Sequence, residues 1–590
     1  MIDWLHPSFL FLIGAAVVAL LPARIRMSAA LLVPLAAFVV IVNLPTGNGI
    51  HYQLLGFDLT LLRVDKLSKA FGYVFTINAF AAGIFALHLR SRIEPVAALV
   101  YIGSSIGAVF AGDLISLYLF WEVMAVASTF LILARGSDRS YHSAFRYVMI
   151  HLLGGLVLLA GILLHIKSSG SVSFELFSDR GLASYLILIG FLINAAVPPM
   201  SAWLSDAYPE ATVTGAVVLT AYTTKTAVYT LIRGYAGWEI LMVVGCVMAL
   251  YGIVYAILEN DMRRILAYSI INQVGFMITG VGIGTAMALN GAVAHAFCHI
   301  IYKALLWMSA GAVLHLTGKS KCTDLGGLYK TMPLTLIFGC IGALAISSFP
   351  GFSGYTSKPM IIEAGVHSGL YWVWLTLELA SAGVFLHAGI KFPYFVFFAK
   401  DSGMRPGEAP PHMLIAMAFL SFICIFLGVY PQPLYAILPF EVNFHPYTFE
   451  HTINQLQLLM FSALAFFMFL PMLKRTETIS IDTDWFYRKG GKLLFSLADR
   501  FFNRLNDSAE KLFTVRLPKQ LNRFFTSPAF LIQRQGLRLL SAVSSDSKKR
   551  EQLEEWLDDC NRSGNYPVGV WVLLAVSLLA TMSVLYLLIR

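Results

Sequence analysis

Residues 289–315 read LNGAVAHAFCHIIYKALLWMSAGAVLH. The run is apolar and longer than the roughly 20 residues that carry a helix across a bilayer. Yet His295, His299 and Lys303 recur inside it at intervals of four. Side chains four apart stand one above another on a single helix face. Burial penalises the charged form of such groups, and histidine already exchanges protons near neutral pH. The run therefore predicts a membrane helix with a proton relay along one side.

The rest of the chain agrees with that reading. Of 590 residues, 58% are hydrophobic and only 13% charged, and the mean hydropathy is +0.72. Soluble domains carry about 25% charged residues, so the composition predicts an all-α polytopic membrane protein. The net charge of +9 falls largely in short loops between apolar runs, where basic residues set membrane orientation rather than bind nucleic acid. Cysteines 246, 298, 322, 340, 424 and 560 have no metal or disulfide spacing. FLFLIGAAVVALL, at 9–21, lacks a basic segment before it and reads as a span rather than a cleavable leader.

About 16 transmembrane helices are expected, near 8–23, 28–44, 68–89, 96–112, 114–134, 144–166, 183–203, 213–232, 238–257, 265–285, 289–315, 332–363, 371–398, 412–431, 454–473 and 567–589. With the amino terminus outside, the inner loops hold Arg24 and Arg26, Arg90 and Arg92, Arg135 and Arg139, Arg263 and Arg264, Lys319 and Lys321, Lys400 and Arg405, and Lys474 and Arg475. The alternate loops are poorer in base, so one threading into a bacterial inner membrane satisfies the positive-inside rule.

Two spans carry breaks. NAAVPPMSAWLSDAYPEA, from Asn194, contains Pro198 and Pro199, and ISSFPGFSGYTSKPMII, from Ile346, contains Pro350, Gly351, Gly354 and Pro359. Broken backbone at membrane depth needs protein or a wet cavity around it, and paired breaks point to transport machinery. After Lys474 the chain becomes charged and apolar by turns. Leu494, Leu497, Phe501, Leu505, Leu512 and Val515 recur at helical spacing, predicting an amphipathic helix on a membrane surface or along neighbouring subunits. Pro518 and Pro528 are expected to bend or interrupt it. Some 70 helical residues would reach on the order of 100 Å, a strut suited to a row of subunits, before the final span VGVWVLLAVSLLATMSVLYLLI.

An ionisable group at a span centre costs roughly 2.5–3.5 kcal/mol on insertion scales, so it is functional by default. Glu122, Lys225, Lys303 and Lys358 are such groups, and Lys391 follows His387 by one turn. With His295 and His299 they form the candidate proton pathway. Glu122 and Lys225 could alternatively be an ion pair joining two helices, and Lys391 could snorkel to the inner face.

The same residues carry a resemblance. LYLFWEVMAVASTFLIL looks like the helix of antiporter-like subunits that bears a buried glutamate. WLSDAYPEATVTGAVVLTAYTTKTAVYTLIR, DMRRILAYSIINQVGFMITGVGIG, HAFCHIIYKALLWMSAGAV and FPGFSGYTSKPMII follow it in the family's order. The family comprises the proton-pumping membrane-arm subunits of respiratory complex I (NADH:quinone oxidoreductase), the A-type and D-type members of Mrp Na+/H+ antiporters, and their relatives in membrane-bound hydrogenases. The strut with its last span is similar to the distal complex I subunit. The resemblance implies two inverted five-helix repeats, each with a broken helix, and places Glu122, Lys225, His295, His299, Lys303 and Lys358 on the proton path.

The organisation it implies is 1–95, N-terminal membrane helices; 96–235 and 236–400, two half-channels; 401–475, peripheral helices; 476–562, the lateral amphipathic helix; and 563–590, the C-terminal anchor. One position departs. Where the family carries a lysine before the first break, this chain has Asn194. Either the first half-channel is altered or Lys225 partners Glu122.

No Gly-rich dinucleotide fingerprint or CxxC cluster is present, so no cofactor is expected and the chain is not read as catalytic alone. The expected role is a proton-translocating or Na+/H+ antiporting subunit of a larger complex, with lipid, protons and other membrane subunits as its partners. Alternatives are an energising subunit for inorganic-carbon uptake and a non-pumping structural member. A cytochrome using His151 and His387 on haem is a further alternative that a visible spectrum decides.

Overall fold

The computed structural model describes residues 5–54, 56–472, 482–526, 528–562 and 568–589. It forms two compact units, Met1–Trp485 and Phe486–Arg590. In the first, α1 (Pro7–Leu20) and α2 (Ala23–Asn43) precede a small excursion of four short strands, in which His51–Leu54 and Phe57–Thr60 pair antiparallel with His51 opposite Thr60. Then come α3 (Lys66–Phe85), α4 (Ile93–Phe110), α5 (Leu114–Leu133), α6 (Asp138–Ser169), α7 (Leu182–Asn194), α8 (Ala202–Ala207), α9 (Val213–Leu219), α10 (Thr223–Tyr235) and α11 (Ile240–Leu258). They are followed by α12 (Met262–Ile283), α13 (Ala286–Thr317), α14 (Pro333–Ile346), α15 (Lys358–His367), α16 (Tyr371–Val384), α17 (Pro411–Val429), α18 (Gln432–Ala436) and α19 (Phe449–Met468).

Among the described residues, ten helices are long and apolar enough to cross a membrane. The core sits on α12 and α13, whose residues are almost all buried. Helix α13 packs against α3, α9, α12, α14, α15 and α17, so its polar stripe lies at the centre of the unit, away from the outer apolar surface.

Side-chain caps fix where the helices start. Asp113 accepts from the Ser116 amide ahead of α5, and Asp261 accepts from the Arg263 and Arg264 amides ahead of α12. Ser137 caps α6 and Thr285 caps α13; each helix has 32 residues and stops at a left-handed glycine, Gly170 or Gly318. These oxygens satisfy amides that the helix itself leaves orphaned. From 113 to 261, 137 to 285 and 170 to 318 the offset is a constant 148 residues. The Asp113–Ser173 and Asp261–Lys321 bridges keep that same offset.

The two proline-bearing breaks also match. Helix α7 ends where Ala196 N donates to Ile193 O and Val197 N to Leu192 O; α14 ends where Ser348 N donates to Ala345 O and Phe349 N to Leu344 O. Both are Schellman stops, built with alanine and serine where glycine is usual.

The single span expected at 213–232 is instead split at Thr220–Tyr222. No proline is needed there. Lys225 Nζ donates to Thr220 O, and the Thr223 amide donates to the Tyr101 hydroxyl, so a side chain of α10 and a hydroxyl from α4 replace the ladder there.

The second unit continues α20 (Asp484–Glu510) through a π-turn at Lys511–Arg516 into α21 (Leu517–Thr526), then α22 (Pro528–Val543), α23 (Ser547–Arg562) and α24 (Val568–Ile589). Pro528 opens α22, where the missing amide hydrogen is not required, whereas Pro518 directly follows the π segment inside the continuous run. Leu494, Leu497, Phe501, Leu505, Leu512 and Val515 are exposed. Residues 476–481 and 527 of the expected strut, 563–567 and 590 of the expected anchor, and the loop residues Lys474 and Arg475 lie outside the described residues.

Candidate functional site

His295, His299 and Lys303 are fully buried on α13, and the two imidazole centroids are 6.3 Å apart. His295 Nε2 lies 3.0 Å from Gln273 Oε1, which also accepts from the Tyr302 hydroxyl at 3.1 Å. His295 Nδ1 lies 3.3 Å from Ser357 Oγ, at the start of α15 beyond the second break. Neither His299 nitrogen nor Lys303 Nζ has a protein partner among the described residues. Buried polar groups are rarely left so.

The flanking lysines close on this stripe. Lys225, fully buried in α10, is within Coulombic reach of His295, His299 and Lys303. Lys358 is equally buried; its Nζ donates to Ile346 O at 3.1 Å and to Ser381 Oγ at 3.3 Å, and stands 5.5 Å from the Phe276 ring centroid. It interacts electrostatically with His295 and with Glu378 on α16. Lys225, His299, Lys303, His295, Lys358 and Glu378 thus interact electrostatically as one group across four helices, or five if Gln273 of α12 is counted.

Lys391 is arranged differently. Its Nζ donates to Ala256 O, Ile257 O and Glu259 O at 2.6–2.8 Å, which caps the carbonyl end of α11. His387, one turn before it, bonds Gly383 O and is within Coulombic reach of Lys303, Lys391 and Lys358.

The first half is sparser. Glu122 on α5 is half-buried, with Oε1 enclosed and without a partner among the described residues, and its carboxyl covers Gly155 of α6 so closely that a Cβ there would collide with it. No ion pair joins Glu122 to Lys225, whose ammonium is turned to Thr220 O; the helix-joining ion pair is therefore corrected. Asn194 closes α7, fully buried, with Oδ1 2.8 Å from His151 Nδ1.

Sequence reasoning missed Glu378, Gln273, Tyr302 and the pairing of His151 with Asn194. Glu378 had a signal, a lone carboxylate within an aromatic span. The others needed contacts between helices. Among the described residues, no group of three or more His, Cys, Asp or Glu is placed to hold a metal ion.

Comparison with known proteins bears out the resemblance. Residues 111–383 match the family model described as NADH:quinone oxidoreductase/Mrp antiporter, transmembrane. The chain is 28% identical over 464 residues to a Na(+)/H(+) antiporter subunit of Alkalihalophilus pseudofirmus, covering 68% of this chain and 57% of that one. It is 26% identical over 420 residues to hydrogenase-4 component B of Escherichia coli, covering 63% and 62%. It thus spans about three-fifths of the length of these two relatives. A chain in the solved structure of the membrane-bound sulfane sulfur reductase, an archaeal respiratory membrane complex, superposes with a TM-score of 0.69 at 22% identity, covering 98% of this chain and 100% of that one. That likeness is one of fold.

Proposed function

We propose that this antiporter-like membrane chain is the ion-translocating subunit of a multi-subunit complex of the Mrp, complex I or hydrogenase type. It carries protons through the bilayer, either in exchange for Na+ or driven by chemistry in partner subunits. In this reading its sixteen apolar runs all cross the membrane, and 96–235 and 236–400 are inverted repeats whose matched caps and stops lie at opposite faces. The amino terminus is outside, and the lateral helix runs along neighbouring subunits on the cytoplasmic side.

One observation carries the reading. Five titratable side chains, Lys225, His295, His299, Lys303 and Lys358, are fully buried without a carboxylate partner inside the set. At roughly 2.5–3.5 kcal/mol for each lysine on insertion scales, such a set has no use as packing. Protons step along it: Lys225 to His299 and Lys303, thence through water to His295, which Gln273 holds in place, and on to Lys358 and Glu378. Glu122 serves the first half, and Lys391 holds the exit end of α11.

The test is transport by the whole complex in inverted membrane vesicles, with a pH-sensitive dye reporting acidification. Lys303→Ala is expected to lower the rate at least about tenfold, a lower bound on the roughly hundredfold or greater contribution of a positioned proton-transfer group. An unchanged rate in assembled complex would refute proton passage through this chain and favour the structural member.

A further inference from the structure

The constant offset of 148 residues aligns α6 with α13 without a gap, and it places His151 opposite His299 and Gly155 opposite Lys303. His151 is thus where the second half has the middle residue of its stripe. It is 1% exposed. Four elements surround it. Tyr147 of its own helix has its ring centroid 4.2 Å away, and Trp203 of α8 has its centroid 4.6 Å away. Asn194 of α7 meets Nδ1, and on the α5 side Glu122 covers Gly155, one turn further along α6. His151 therefore touches both sides of the first break.

The hydrogen bond to Asn194 decides what the ring can do. Asn194 Oδ1 only accepts, so the neutral imidazole carries its proton on Nδ1 and presents a free lone pair on Nε2. That Nε2 is buried and has no partner among the described residues, and the same holds for Asn194 Nδ2 and Glu122 Oε1. Where the second half has the Lys303 side chain, the first half has only a hydrogen on Gly155, and the Glu122 carboxyl occupies the place a Cβ would take. The Tyr147 hydroxyl is 2.9 Å from Ser128 Oγ and also interacts with the side chain of Thr223, which bonds Tyr101 at 2.7 Å, two residues before Lys225. A chain of hydroxyls thus leads from the His151 pocket towards the centre of the molecule.

We propose that His151 is a proton-carrying residue of the first half, the counterpart of His299, with Asn194 as its positioning residue. Nε2 accepts a proton from the side of Glu122 and passes it, through water and the Tyr147, Ser128 and Thr223 hydroxyls, towards Lys225. Asn194 holds the tautomer that leaves Nε2 open. The inference rests on the proposed proton passage, so its test includes a variant of the second half.

Inverted vesicles holding the complete complex are compared for the parent, His151→Gln, His151→Lys and Lys303→Ala. Glutamine keeps a hydrogen bond to Asn194 but carries no proton, so His151→Gln is expected to slow transport at least about tenfold. Lysine restores part of the rate with a displaced pH profile. If His151→Gln transports within about twofold of the parent while Lys303→Ala does not transport, His151 is structural and this inference alone is overturned. If neither slows transport, proton passage through the chain falls, and the inference with it. Should His151→Gln fail to assemble, Asn194→Asp decides. It preserves size and the hydrogen bond while setting a carboxylate against the ring, which moves the pH profile upward; an unmoved profile overturns the assignment.

Discussion

Ala196 and Ser348 hold the same left-handed backbone conformation, with φ of 61° and 57°, each two residues past the end of a helix that stops at a break. Left-handed backbone costs an L-residue roughly 1–2 kcal/mol, and a chain keeps it only where surrounding contacts enforce it. Here the enforcement is the pair of stop hydrogen bonds at each site. Glycine at either position is expected to change stability by less than about 1 kcal/mol, since relief of strain offsets the added freedom of the unfolded chain. Valine, branched at Cβ, is expected to lower the melting temperature of the purified complex by several degrees at both sites (of order 2–3 kcal/mol). Equal tolerance of glycine and valine would show that the two stops are not constrained.

Gly155 lies beneath the Glu122 carboxyl. Gly155→Ala puts a methyl where Oε1 now is, and because that oxygen ends a flexible side chain, the carboxyl moves while the helices stay. Assembly and melting temperature should change little, whereas proton transport falls at least about tenfold, as for Glu122→Gln. Gly154→Ala, next along the helix, meets Ile193 Cγ2 at 3.1 Å instead, and is the control that should retain transport. Normal transport by Gly155→Ala or by Glu122→Gln would remove Glu122 from the path.

Lys303 and Lys391 make opposite demands on stability. Lys303 Nζ has no protein partner among the described residues, while Lys391 Nζ binds three backbone carbonyls. Removing an uncompensated buried amine relieves desolvation, so Lys303→Met should leave the melting temperature unchanged or raise it by the equivalent of about 1 kcal/mol. Lys391→Met strips charged hydrogen bonds from the end of α11 and should cost about 2–4 kcal/mol. Thermal unfolding of the two variants side by side reads the difference, and the reverse order would overturn the assignment of the two roles.

What the sequence made legible was whatever hydrocarbon itself imposes. Bilayer thickness writes runs of about 20 apolar residues, and the price of charge inside them makes Glu122, Lys225, Lys303 and Lys358 stand out. The stripe was legible because one helix repeats it every four residues, and two breaks were legible because proline marks them. The split at Thr220 was not, because its cause lies in Tyr101 of another helix and in the reach of Lys225. Asn194 read only as a departure from the family's lysine that alters the first half or leaves Lys225 to partner Glu122, and its contact with His151, 43 residues away, gives it a part of its own. Glu378 was overlooked because the group that gives it meaning, Lys358, is a neighbour in space and not along the helix.

Outside the membrane, Asp65 makes a pH-dependent anchor. It caps α3 by accepting from the Ser68 amide, and the Arg233 guanidinium lies 2.8 Å from its Oδ2. Burial works to raise its carboxyl, but the charge of Arg233, the Ser68 bond and Arg63 outweigh it and hold the carboxyl below the usual range. A carboxyl depressed in the folded state stabilises the fold above its unfolded value, about pH 4, and loses that contribution as pH falls through the lower folded value. Asp65→Asn keeps a good helix cap and removes the charge. Its melting temperature should lie slightly below the parent's at pH 7, by less than about 1 kcal/mol in a partly exposed pair, and the two curves should converge as pH falls below about 4. Parallel curves down to pH 3 would show that Arg233 does not hold Asp65 in its charged form.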